Sequence, residues 1–88
     1  MVQQNVTVIN PSGLHLRPAA VLAKLAASRK SAITIIYKEK KINCKSSLNI
    51  MAAGIMKGTE VLIQCSGEEE EHDLTTIVTA IESGLGEL

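Results

Sequence analysis

Apolar and polar positions alternate, shift period and return along the chain, and these shifts mark its elements. Val2 to Ile9 alternates as a strand, with Val2, Val6 and Val8 on one face. The turn-forming run Asn10-Pro11-Ser12-Gly13 ends it. Ala19 to Ala27 then follows the helical period, and Pro18 suits the first turn of that helix, where a missing N–H costs nothing. Val21, Leu22, Leu25 and Ala26 form its expected buried stripe, with Lys24 outside. Ala32 to Tyr37 is β-branched and strand-like, and Lys41 to Lys45 is expected to pair with it through Lys38-Glu39-Lys40, which lacks the usual Asn-Gly turn signal. Ser46 is placed to cap a short helix through about Ala53, with Gly54 ending it. Glu60 to Ser66 is a fourth strand with Val61, Ile63 and Cys65 on one face. Leu74, Ile77, Val78, Ile81 and Leu85 define a last helix, its start loaded with acid from Glu68 to Asp73 and its end closed by Gly84. The order βαββαβα predicts an α/β (α+β) open-faced sandwich: a four-stranded antiparallel sheet covered on one face by helices.

At 88 residues the chain is long enough for one domain, residues 1–88. A domain of this size buries roughly 60–65% of its unfolded surface, so chemistry falls on the surface and not in an enclosed cavity. Nine basic residues balance nine acidic ones. A zero net charge argues against generic nucleic-acid binding, and a single aromatic residue, Tyr37, leaves no base-stacking platform. All nine basic residues lie between Leu14 and Lys57, and eight acids follow Thr59. That asymmetry suggests a docking face for anionic or acidic partners. Cys44 and Cys65 read as small core residues, because two thiols without ligand spacing form neither a disulfide framework nor a metal site. His72, in the acidic run, reads as a solvated helix residue. Neither an export signal nor a membrane-spanning run is evident, so a cytoplasmic protein without membrane insertion is expected, and no cofactor or metal is called for.

The chemistry concentrates at Gly13-Leu14-His15-Leu16-Arg17-Pro18-Ala19. Gly13 lets the backbone turn and Pro18 starts a helix, which puts His15 at or near the N-cap. The free N–H groups of Leu16 and Arg17, the Arg17 guanidinium and the nearby Ser12 hydroxyl together make an anion site. An imidazole placed there is a competent nucleophile toward a phosphoryl donor, since phosphoryl transfer depends mainly on positioning and electrostatics. From these residues alone, a merely structural His15 capping the helix and a surface Arg17 stay open.

The same run through Ala20 resembles the phosphohistidine signature of the HPr family, the phosphocarriers of the bacterial sugar phosphotransferase system. Lys45-Ser46-Ser47-Leu48 resembles that family's second signature, and the spacing, element order and length also match. The resemblance implies a carrier, not an enzyme with its own turnover. His15 would take a phosphoryl group on Nδ1 from phospho-enzyme I, charged by phosphoenolpyruvate, and pass it to IIA domains of sugar permeases. It further implies that Arg17 steadies the phosphate and that Ala20, Lys24, Leu48 and Met51 belong to a docking patch. Ser46 would be a regulatory site for HPr kinase, its modified form binding a catabolite control protein. The chain departs from the common pattern at Ser47, Asn49 and Leu16. A monomer is expected. Two alternatives are a paralogue serving a nitrogen-related or other regulatory relay, and a mainly regulatory corepressor acting through Ser46; the latter type lacks the histidine.

Overall fold

The computed structural model describes residues 1–87. Its elements run β1 (Val2–Thr7), α1 (Leu16–Ala27), β2 (Ala32–Tyr37), β3 (Lys40–Asn43), α2 (Ser47–Ala52), β4 (Glu60–Ser66) and α3 (Glu70–Glu82). Every strand pairing is antiparallel and the spatial order is β1-β4-β2-β3. The expected open sheet with helices on one face is what forms. Registers Val6 with Val61, Ile35 with Ile63 and with Ile42, and Ile33 with Cys65 put the apolar alternates on a common face. Onto that face pack Leu22 and three alanines of α1, Ile50 of α2, and Leu74, Ile77, Val78 and Ile81 of α3. The opposite face carries Gln3, Asn5, Lys41 and Gln64, among others, which suits an antiparallel sheet with one side in water.

The buried stripe of α1 differs from the apolar reading. It is Pro18, Ala19, Leu22, Ala23 and Ala26, whereas Val21 is 44% exposed and Leu25 only partly buried. Small side chains let the helix lie close to the sheet, so alanines occupy the interface and Val21 turns to solvent. Helix α1 also starts earlier than Ala19, directly after His15. Strand β3 is shifted and shortened: it runs Lys40–Asn43, although the Cys44 N–H still donates to the Ile33 carbonyl at 3.0 Å. The hairpin before it is a two-residue turn, since Tyr37 faces Lys40. Lys38 and Glu39 both take positive φ, 50° and 66°, in the positions where Asn-Gly is preferred. The Lys38 ammonium lies 5.3 Å from the Tyr37 ring centre, a cation–π contact that offsets part of that strain.

Cys44 and Cys65 are fully buried, as core residues should be, and burial pushes the Cys44 thiol up to about 12. Asp73 was expected only to complement the α3 dipole, but it is 1% exposed. Its Oδ2 accepts from the Ser31 hydroxyl at 2.6 Å and the Ser31 N–H at 3.1 Å, tying α3 to the start of β2. The Ser31 hydroxyl, with the Arg29 guanidinium beyond it, holds this carboxyl below the usual aspartate range despite burial. Among the described residues, no helix is long and apolar enough to cross a membrane.

Candidate functional site

The site is built where β1 hands over to α1. Gly13 has φ +70°, and its backbone lies so close to the 55–56 loop that an added Cβ would fall 2.1 Å from the Ile55 carbonyl oxygen. The next residue, Leu14, donates its N–H to that same oxygen at 2.9 Å and buries its side chain in the core. These contacts fix the chain on both sides of the turn, so the residue after them enters the helix from a set position. That residue is His15.

His15 is the N-cap of α1, with extended backbone (φ −83°, ψ −161°). Its carbonyl accepts the first helical bond, from Ala19 N–H at 2.9 Å. Its imidazole makes no capping hydrogen bond and is 47% exposed. A purely structural cap would direct a side-chain acceptor at the helix N–H groups; this ring does not. The N–H groups of Leu16 and Arg17 have no intrahelical partner, as in any first turn, and Pro18 has none to offer. The positive end of the dipole therefore lies at His15, and Arg17 is exposed two positions on. Ser12 is exposed in the preceding turn, three residues from His15.

Sequence reading missed a third side chain. Glu87 Oε2 lies 3.7 Å from His15 Nε2, and its Oε1 accepts a 2.7 Å hydrogen bond from the Asn10 amide. Asn10, fully buried, also donates to the Gly84 carbonyl at 2.8 Å. The segment after α3 is thus pinned beside the end of β1, and Arg17 and Val21 border a shallow depression with Leu85, Gly86 and Glu87. No local pattern signals contacts across more than seventy residues.

Of the residues named for docking, Ala20 and Lys24 lie exposed on α1, and Leu48 (72% exposed) and Met51 on α2, which packs against α1. Leu16, Val21 and Met56 are further exposed apolar side chains that the motif comparison had not placed there. Met56 follows Ile55, the residue against which Gly13 is packed, so the apolar surface reaches the site from one loop as well as two helices. Ser46 is the N-cap of α2, its Oγ accepting from the Asn49 N–H at 3.2 Å. The adjacent Lys45 ammonium is held by the Arg29 carbonyl at 3.1 Å. His72 is exposed on the first turn of α3, away from this cluster in the sequence and among acids.

Comparison with known proteins agrees with this architecture. The family model described as PTS HPr component phosphorylation site matches residues 2–83. The phosphocarrier protein HPr of Mycoplasma capricolum is 43% identical over 77 residues, covering 88% of this chain and 86% of its own. A crystal structure of HPr from Thermoanaerobacter tengcongensis is 35% identical and superposes with a TM-score of 0.94, covering 100% of this chain and 99% of that one. A structure of an HPr dimer from the same organism is 36% identical, with a TM-score of 0.77 and coverage of 99% and 100%. The chain belongs to the HPr family of phosphocarrier proteins of the phosphotransferase system.

Proposed function

We propose that His15 is the phosphoryl-accepting residue of this carrier, that it is charged by phospho-enzyme I and that it discharges to IIA domains of sugar permeases in the cytoplasm. The observation that carries this reading is the uncapped, half-exposed imidazole at the N-terminus of α1. Nδ1, the ring nitrogen nearer the main chain, attacks the phosphorus as the bond to the donor breaks and its electron pair leaves with the donor. The incoming oxygens take hydrogen bonds from the helix N–H groups and from Arg17, with Ser12 near enough in sequence to add its hydroxyl. Nothing encloses the phosphoryl group, which suits a group that must be handed on. Leu16, Ala20, Leu48, Met51 and Met56 would seat the partner, and Arg17 and Lys24 would draw in an acidic surface. All the residues proposed for this work belong to one chain, so a monomer is the proposed working form.

Incubation with enzyme I and phosphoenolpyruvate should put one acid-labile phosphoryl group on each chain. Failure to label with sugar-branch enzyme I would remove the assignment. Labelling only by the enzyme I of a nitrogen-related branch would move the protein to that relay.

Ser46 is proposed as a site of kinase control over the same surface. A phosphate on its Oγ adds about −1.5 to −2 charges. Those charges sit one turn from Leu48 and Met51 and repel an acidic partner within roughly 10 Å, the Debye length. Ser47 and Asn49 alter the recognition helix without removing the cap. Treatment with HPr kinase and ATP should modify Ser46, read by mass spectrometry, and slow charging by enzyme I. Modification at Ser47 alone, or none, contradicts the proposal.

A further inference from the structure

We infer that Glu87 is a positioning residue for His15, holding the ring proton on Nε2 so that Nδ1 is kept free as the nucleophile. This inference rests on His15 being the phosphoryl-accepting residue and adds to it a group that the two sequence signatures do not contain.

The carboxylate is itself fixed. Asn10 is fully buried and its Nδ2 donates to Glu87 Oε1 at 2.7 Å while also holding the Gly84 carbonyl. With one oxygen committed there, the other faces His15 Nε2 at 3.7 Å, ion-pair range and slightly beyond a hydrogen bond. The Glu87 side chain is 23% exposed, so its charge is only partly screened. A carboxylate accepts and never donates, so the ring nitrogen facing it carries the proton. Nδ1 makes no hydrogen bond to the helix N–H groups, so its lone pair stays free for attack.

This arrangement serves both halves of a carrier's cycle. During uptake, Nδ1 donates its electron pair to phosphorus and the ring becomes a cation with its proton still on Nε2, beside Glu87. No proton has to move. During discharge the Nδ1–P bond breaks, its electron pair returns to Nδ1, and a neutral imidazole with Nε2–H leaves. The carboxylate stabilises the charged ring between those steps.

Glu87→Gln separates this role from tethering of the C-terminal segment. Its side-chain oxygen still accepts from Asn10, which turns its NH2 group, a donor, toward His15 Nε2. The ring then accepts at Nε2 and its proton moves to Nδ1. Imidazole 15N shifts should be recorded well above neutral pH on the intact chain, with the amide spectrum of residues 84–86 confirming that the segment stays in place. The parent is expected to show a protonated Nε2 and an unprotonated Nδ1. Glu87→Gln should move the two shifts toward each other or invert them, and Glu87→Ala should fall between. Charging by enzyme I should slow about three- to fivefold in Glu87→Gln, the scale of a half-exposed ion pair. Unchanged nitrogen shifts overturn the inference, whether or not charging slows. A parent that is never labelled instead overturns the phosphocarrier reading of His15, while the shifts still report on Glu87.

Discussion

His15→Ala is expected to abolish phosphoryl uptake from enzyme I while leaving the fold almost untouched. The two halves of that statement have separate physical origins. The imidazole makes no capping bond to α1 and is about half exposed, so little packing is lost with it. Its contact with Glu87 is partly solvated and such pairs contribute roughly 0–1 kcal/mol. The denaturation midpoint should therefore stay close to the parent's. Uptake, by contrast, has no second nucleophile to fall back on. His72 is the other histidine, exposed on the first turn of α3 with Glu70, Glu71 and Asp73 around it. Negative charge there repels an incoming phosphoryl group, and no arginine accompanies it in the first turn. Label retained by His15→Ala would contradict the assignment. A large loss of stability would show that His15 is a structural residue after all.

Gly13→Ala should do the reverse and strike the fold first. An alanine at φ +70° enters the left-handed region at a cost of roughly 1–2 kcal/mol. Its Cβ would fall 2.1 Å from the Ile55 carbonyl oxygen and 2.9 Å from the Met56 Cα, both backbone atoms that no rotamer change can move aside. Relief requires the two loops to separate, which breaks the 2.9 Å bond from Leu14 N–H to Ile55. A lost buried hydrogen bond adds about 1–3 kcal/mol. The sum, about 2–5 kcal/mol, is a large share of the roughly 4–13 kcal/mol expected for a domain of this length. Urea denaturation should show the drop as a lowered midpoint with an unchanged slope. The folded fraction should also charge slowly, because the separation displaces His15 two residues on. A loss below about 1 kcal/mol would mean that the loops yield easily and that Gly13 does not set the histidine's position.

Much of this architecture was legible in the chain because it depends on local period and local chemistry. Alternation in β1, β2 and β4 and the spacing Leu74, Ile77, Val78, Ile81 place the sheet and α3 without tertiary information. Ser46 and His15 were placed at helix starts by short-range rules, and both are N-caps. What escaped depends on packing distance or on contacts remote in sequence. Val21 belongs to the expected stripe with Leu22, Leu25 and Ala26, whereas the close approach of α1 buries Ala23 and turns the valine out. Lys38 and Glu39 adopt a turn that their side chains disfavour, which strand pairing enforces and composition does not announce. Asp73 reads as one more acid at a helix start; its burial under Ser31 spans 42 positions. Glu87 reads as a solvated acid near a chain end, and only the folded arrangement of Asn10 and α1 brings it to His15.

The central claim is that phosphoryl chemistry occurs on one defined nitrogen at the start of α1. It is tested most directly by charging the 15N-labelled protein with enzyme I and phosphoenolpyruvate and reading phosphorus–nitrogen coupling by NMR. The account predicts a single phosphoryl group on His15 Nδ1. Phosphate on His15 Nε2, on His72 or on a hydroxyl would contradict it.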